Sequence, residues 1–283
     1  MKRLLIGIAV SLIASYAVAA DINVSVSEVK DSRTTGQFFA GLEIKFKIMG
    51  DALSDARGVK LAVAKATDDT GRDLIKKDES GSRDFAKPDE NRAGLVEIEA
   101  RLKNPSRKAS AVKEVAGEIT VFSPGRDSKA VASIPDFMTL AGRRIENGTL
   151  KAARVELGIM TKKEFDAFKE QQKKEVKAKE GEMIKELGEA MAKALGALFG
   201  SMMEVTENSV ILNIADPDAK VVDLEFADAA GGPLRSGSSM KTGDIRVFEF
   251  EKPMPRNAKL TVYLATPKAL WKAPFKLQDI ALP

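Results

Sequence analysis

The sequence predicts a mainly β protein of two antiparallel β-sandwiches with a helical insertion between their strands. Short stretches near both ends of the chain alternate apolar and polar residues, and turn-forming residues separate these stretches. Residues 162–203 differ, because they lack proline and repeat apolar residues three or four positions apart. We therefore expect a long amphipathic helix or a helical hairpin between the two sandwiches.

The first 20 residues have the pattern of a cleaved export signal. Lys2 and Arg3 form a positive start, residues 4–18 are mostly apolar, and the run Ala17–Ala20 offers small residues for signal peptidase. The apolar run is short for a membrane span, which takes about 20 residues. We expect residues 1–20 to be a signal peptide and the mature protein to be periplasmic or extracellular.

Residues 21–136 are expected to form the first sandwich. Five stretches in this range have a strand-like alternation of apolar residues, which places one face of each strand in a core. The alternating residues are Ile22, Val24 and Val26; Leu42, Ile44, Phe46 and Ile48; Val59, Leu61 and Val63; Val96, Ile98 and Ala100; and Val115, Ile119 and Val121.

Residues 205–283 are expected to form the second sandwich, and residues 137–160 a linker with its first strand, Lys151–Ile159. Four later stretches show the same alternation, which predicts further short strands. Their apolar residues are Val210, Leu212 and Ile214; Val221, Val222, Leu224 and Phe226; Val247, Phe248 and Phe250; and Leu260, Val262 and Leu264.

One turn pattern occurs in both sandwiches. Asp68-x-x-Gly71-x-x-Leu74 follows one predicted strand, and Asp228-x-x-Gly231-x-x-Leu234 follows another. In each, Asp starts a tight turn, Gly supplies a positive φ and Leu returns to the core. The repeated pattern predicts two copies of one unit, in which Gly71 superposes on Gly231.

The strand followed by Asp-x-x-Gly-x-x-Leu resembles secreted bacterial proteins of tandem immunoglobulin-like β-sandwiches of unknown function. The resemblance covers roughly two thirds of the chain. It implies immunoglobulin-like domains used for adhesion, scaffolding or ligand presentation, and the fold does not choose among these roles. The Cys…Trp…Cys hallmark of antibody domains is absent, because the chain has no cysteine.

Residues 161–204 form the predicted insertion, which opens with the capping box Thr161-Lys162-Lys163-Glu164. An unbroken helix to residue 203 would be roughly 60 Å long at 1.5 Å per residue. We expect a break near Gly181, because the chain must return to the second sandwich by Ser209. The apolar stripe is Phe165, Phe168, Gln172, Val176, Met183, Leu187, Met191, Leu195, Leu198 and Met202.

Composition excludes several kinds of chemistry. The chain has neither cysteine nor histidine, so it has no disulfide, no thiolate nucleophile and no histidine-based triad. Without Lys2 and Arg3 the 45 basic residues become 43, against 41 acidic ones, which gives no basis for nucleic-acid binding. We expect no cofactor and no catalytic residue.

The remaining clusters have structural explanations. Asp68, Asp69 and Asp73, and likewise Asp216 and Asp218, suit turns and do not match a calcium loop, so we expect no metal site. Ser238-x-x-Lys241 is expected to lie in a Gly/Ser turn and not to supply a nucleophile. Trp271 is expected to pack within the protein and not to bind a sugar. Packing, not copper(I) binding, is likewise expected for the methionines of the insertion, which are Met183, Met191, Met202 and Met203.

These observations predict a non-catalytic binding or scaffolding protein that contacts a protein partner or a second copy of itself. The expected contact residues lie late in the insertion: Leu195, Leu198, Phe199, Met202 and Met203. Two alternatives stay open. One is a hydrolase that uses carboxylates, and the other is an envelope protein, without a membrane span, that attaches to a membrane surface through the amphipathic helix.

The substitution Leu198→Asp tests the predicted contact surface. If Leu198 lies on an accessible apolar face, the variant stays folded but loses self-association or partner binding, because a carboxylate resists burial in an interface. Sedimentation measures the association and thermal melting the stability. A large drop in melting temperature with unchanged assembly would show that Leu198 is core.

Overall fold

The computed structural model describes residues 22–33, 40–76, 82, 84–89, 92–187 and 205–283. The protein is mainly β, as predicted, with four antiparallel sheets and few helices. It has two compact units: unit 1 comprises the described residues up to Phe122 together with Trp271–Pro283, and unit 2 is Ser123–Leu270.

Unit 1 has two three-stranded sheets, with strand orders β1-β2-β4 and β14-β5-β3. The strands are β1 (Asn23–Ser32), β2 (Gly41–Met49), β3 (Gly58–Asp68), β4 (Leu95–Leu102), β5 (Ala111–Phe122) and β14 (Leu270–Ala281). Both sheets contribute to one core, where Phe46 of β2 and Leu61 of β3 are fully buried. This shared core makes the unit sandwich-like.

Unit 2 has two four-stranded sheets, with strand orders β10-β9-β13-β6 and β11-β12-β8-β7. The strands are β6 (Val131–Ile134), β7 (Glu156–Ile159), β8 (Ser209–Ala215), β9 (Val221–Ala227), β10 (Pro233–Leu234), β11 (Ser238–Thr242), β12 (Ile245–Glu249) and β13 (Lys259–Leu264); the helices are α1 (Gly148–Ala153) and α2 (Lys162–Leu187). Leu212 of β8 and Leu260 of β13 are buried in the core that these sheets share.

Two edge strands, β6 and β14, pair in a different unit from the strand that precedes them in the sequence. Strand β5 is central in unit 1, but the next strand, β6, pairs with β13 in unit 2. Strand β13 is central in unit 2, but the next strand, β14, lies beside β5 in unit 1. Strand β6 is thus the first strand of the continuous unit 2, whereas β14 returns the chain to unit 1.

The placement of β6 and β14 corrects the predicted domain boundaries. The predicted first domain, 21–136, includes β6, which pairs in unit 2, and the predicted second domain, 205–283, includes β14, which belongs to unit 1. Alternation identifies a strand but not its neighbour, because pairing partners are set by the whole fold. The nine stretches predicted as strands in those two domains fall on β1–β5, β8, β9, β12 and β13.

Three local predictions are also wrong. Lys151–Ala153 belongs to α1 rather than to a strand, because the Asn147 side chain caps this helix by accepting from the N–H groups of Thr149 and Leu150. Ser238–Thr242 is strand β11 rather than a turn. Helix α2 continues through Gly181, because one helical glycine costs only about 1 kcal/mol.

The two Asp-x-x-Gly turns have the same geometry. In both, the glycine has positive φ, 85° at Gly71 and 90° at Gly231, and donates its N–H to the carbonyl of the first Asp. Each Asp carboxylate also accepts two backbone N–H bonds from its own turn. The turns follow β3 and β9, which pair with the central strands β5 and β13. Superposition of the whole units stays a prediction.

Asp68 differs from Asp228 in that it also fastens a distant loop. Its carboxylate is buried and accepts from the N–H of Ser106 at 2.8 Å and from the hydroxyl of Thr70 at 2.7 Å. Burial acts to raise the pKa of Asp68, but the hydrogen bonds, led by that from Ser106, outweigh it and lower the pKa. The ionised carboxylate thus holds the β4–β5 loop against the turn.

We expect Asp68→Ala to destabilise unit 1 by about 1.5–3 kcal/mol, the value for losing a hydrogen bond to a charged group. The matched change Asp228→Ala removes the equivalent turn carboxylate from unit 2 and should leave the unfolding of unit 1 unchanged. Urea unfolding followed by tryptophan fluorescence reports on unit 1, because Trp271 is the only tryptophan and packs on its core.

The effect of Asp68 has a defined pH dependence. A lowered folded-state pKa stabilises the fold above the unfolded pKa of about 3.9, and this stabilisation is lost as pH falls through the folded-state value. The difference between wild type and Asp68→Ala should therefore shrink below about pH 4. An undiminished difference at pH 2 would contradict this role of the ionised carboxylate.

Candidate functional site

The candidate site is the outer face of the β11-β12-β8-β7 sheet in unit 2. Alternation along β8 directs Leu212 into the core, whereas Ile211 and Asn213 point outward. Outward Val247 of β12 lies opposite Ile211, and Met240 of β11 lies opposite Val247. An apolar row therefore crosses this sheet on the side away from its core.

The start of helix α2 covers this apolar row. Phe165 is fully buried and belongs to one apolar cluster with Ile211, Ile245 and Val247. The half-buried side chains at the margin of the cluster are Met160, Phe168, Val205 and Met240. Residues on both sides of the insertion, Met160 and Val205, thus meet at the same cluster. We call these eight residues the helix root.

The predicted capping box fixes where α2 begins. The Thr161 hydroxyl accepts from the N–H of Glu164 at 3.3 Å, and the Glu164 carboxylate accepts from the N–H of Thr161 at 2.7 Å. The hydrogen bond from the Thr161 backbone, followed by that from its hydroxyl, lowers the pKa of Glu164. A reciprocal cap of this kind sets the direction in which the helix leaves the sheet.

Beyond the helix root, charged side chains of α2 pair along the helix itself. Asp166 lies 3.1 Å from Lys162 and 3.0 Å from Lys169, and Glu170 lies 2.8 Å from Lys173. Glu170 and Lys173 are exposed. Exposed pairs of this kind contribute only a few tenths of a kcal/mol each, so they leave this surface of the helix open to a partner.

A cleft of about 340 Å³ lies beside the helix root on the same face of the sheet. The sheet contributes little side-chain bulk to this cleft, because Gly158 and Ala215 line it there. The charged residues that line it are Arg143, Arg144, Glu156 and Glu164. Arg144 and Glu156 form an ion pair at 2.8 Å, and the Glu164 carboxylate is engaged by Thr161.

The acidic groups of this cleft do not have the arrangement that acid catalysis requires. A general acid needs a raised pKa so that it holds a proton at neutral pH. The pKa of Glu164 is lowered instead, and the carboxylate of Glu156 is paired with a guanidinium. Glu156 and Glu164 are therefore both engaged as acceptors within the cleft.

The structure separates Ser238 from Lys241. Both lie on strand β11, three positions apart, so their side chains point to opposite faces of the sheet. Lys241 therefore cannot act as a base for Ser238 within one strand.

The aspartate clusters are used by turns. Asp69 accepts from the N–H and the hydroxyl of Ser110, and Asp216 accepts from the N–H groups of Lys220 and Val221. Within the residues that the structure describes, no three acidic side chains are placed to share a metal ion.

The sequence-predicted contact residues are not among those described. Leu195, Leu198, Phe199, Met202 and Met203 all fall in residues 188–204, outside the described part of the chain. Sequence reasoning placed Phe165 and Phe168 on the apolar stripe but not the outer face of β8 and β12 that receives them.

Comparison of the chain with protein-family models, with curated proteins and with solved structures finds no match. Among the helices of the described residues, none is long and apolar enough to cross a membrane.

Phe165→Ala tests whether the helix root holds α2. Replacing a buried phenylalanine by alanine costs about 3–5 kcal/mol, so the first turns of α2 should detach from the sheet. Hydrogen exchange of the amides of residues 165–174 should become much faster. The control Phe168→Ala removes a half-buried ring and should have a smaller effect. Equal protection in wild type and Phe165→Ala would show that the root does not hold the helix.

Proposed function

We propose that this protein is an exported, non-catalytic binding protein of tandem immunoglobulin-like sandwiches, which presents helix α2 to a partner protein. The observation that carries the proposal is the helix root. Phe165 is buried on an outward sheet face, whereas Glu170 and Lys173, one to two turns later, are exposed. Such a helix is fixed at its start and accessible along its side.

The strand orders support the immunoglobulin-like assignment. Constant-type immunoglobulin domains have strands A, B, E and D in one sheet and C, F and G in the other. If β7, β8, β11 and β12 are A, B, D and E, the sheet β11-β12-β8-β7 has this order. With β9 as C, β10 as an added strand beside it and β13 as F, β6 occupies position G.

Unit 1 fits the same scheme with fewer strands. Taking β1, β2 and β4 as A, B and E gives one sheet, and β3, β5 and β14 as C, F and G give the other. The two Asp-x-x-Gly turns then follow strand C in both units. This agreement supports both the duplication and the resemblance to tandem immunoglobulin-like proteins.

Export is proposed from the pattern of residues 1–20. A cysteine-free chain is compatible with an oxidising compartment, where exposed thiols would be liable to oxidation. A contact role is preferred to a carboxylate hydrolase because Glu156 and Glu164, the acidic residues that line the cleft, already accept from Arg144 and Thr161.

Site-specific photo-cross-linking in the exporting host tests the proposal. A photoreactive amino acid at Lys173 should give one protein adduct of fixed mass, because this exposed position lies on α2. The same amino acid at Arg256, an exposed turn residue of unit 2, should give none. The Lys173 adduct should disappear in the Phe165→Ala background while the protein persists.

Other outcomes would contradict the proposal. Equal adducts from Lys173 and Arg256 would indicate nonspecific proximity, and no adduct from Lys173 would remove α2 as a contact element. An adduct with phospholipid in place of protein would show that the surface-attachment alternative is right.

A further inference from the structure

Strand β14 is bound to unit 1 by an apolar inner face. Phe275 is buried in the core of this unit, with its ring 5.7 Å from that of Phe46 in an edge-on arrangement. Trp271, Leu277 and Ile280 are half-buried against the same core. Among the described strands, β14 lies at the edge of its sheet and pairs only with β5.

Complementary charges lie along the pairing of β14 with β5. Lys272 pairs with Glu118 at 2.5 Å, and Lys276 pairs with Glu114 at 2.9 Å. Further along, Asp279 pairs with Lys113 at 2.7 Å. Hydrogen bonds from Lys65 and Lys276 lower the pKa of Glu114. The acceptor strand thus recognises the sequence of β14 by both charge and shape.

The connection between β13 and β14 is a short turn. Residues 265–269 lie between the end of β13 in unit 2 and the start of β14. The turn is closed by the N–H of Ala269 donating to the carbonyl of Thr266 at 3.1 Å. The Thr266 hydroxyl also donates to Asp127, at 2.7 Å. These contacts belong to unit 2, so none of them is part of the binding of β14 to unit 1.

We propose that β14 is exchangeable between copies of this chain, so that unit 1 of one copy binds β14 of a second copy. A second copy carries an identical β14, so exchange preserves the Phe275 site and all three ion pairs. Only the turn at residues 265–269 has to change, which is the usual condition for domain swapping. The partner for this surface is therefore a second copy of the same protein.

Complementation between two full-length variants tests this proposal. The acceptor variant carries Phe275→Asp and Trp271→Phe, which disable its own β14 and remove its tryptophan. The donor variant carries Ile119→Asp, which places a charge in the buried core of its own unit 1 and leaves β14 intact. Each variant alone should be a monomer in which unit 1 is unfolded.

Refolded together, the two variants should form a heterodimer with twice the monomer mass. The donor's Trp271 should recover the native emission spectrum, because it now packs on the acceptor's unit 1. A control donor that carries both Ile119→Asp and Phe275→Asp should give neither change. Sedimentation measures the mass, and fluorescence measures the burial of the tryptophan.

Three outcomes would overturn the proposal. The mixture could remain two monomers with an exposed tryptophan, the control donor could associate equally well, or the acceptor variant alone could keep unit 1 folded. The last is read from hydrogen exchange in β5, and it would show that β14 does not complete unit 1 through Phe275.

Discussion

The fold depends on the completion of two central strands, β5 and β13, by neighbours that lie far away in the sequence. A strand left without a neighbour exposes unpaired backbone groups and the apolar side chains beneath it. In this protein β14 completes β5, and β6 completes β13. Unit 1 therefore needs a strand that the chain reaches only by way of unit 2, whereas unit 2 is the continuous stretch Ser123–Leu270.

This constraint explains why the turn regions next to β6 and β14 are densely hydrogen-bonded. Asp127, just before β6, accepts from the hydroxyl of Thr266, just before β14, and the N–H of Ser123 donates to the carbonyl of Ala269. The hydrogen bond from Thr266 is foremost in lowering the pKa of Asp127. The two connections are thus hydrogen-bonded to each other within unit 2.

The sequence predicts the strands that have a buried and an exposed face, because alternation is a local signal. Leu42, Ile44, Phe46 and Ile48 are all fully buried, as their spacing predicts. It does not predict β11, whose residues Ser238–Thr242 show no apolar alternation and form a strand by pairing with β12. The sequence also does not predict β14, because Pro274 lacks the N–H that a strand donates to its neighbour. Proline is tolerated in this strand because β14 lies at the edge of its sheet.

The helix root could be predicted only in part, for a related reason. The capping box and the position of Phe165 are local signals, and both are confirmed. The receiving surface is not local: outward Ile211 and Val247 come from two strands that are neighbours in space. An outward apolar residue on a strand otherwise signals nothing until the element that covers it is known.

Several features of β14 argue for strand exchange over simple edge-to-edge association. Pro274 lacks a backbone N–H, and Asp279 has a positive φ of 54°, which interrupts the regular strand. Lys272 and Lys276 add charge along the strand, and edge strands of natural sheets use all these features to prevent further pairing. A second copy is thus discouraged from adding beside β14, whereas the place of β14 on β5 is complementary to an identical strand. Self-association through this sheet should therefore replace β14 rather than extend it.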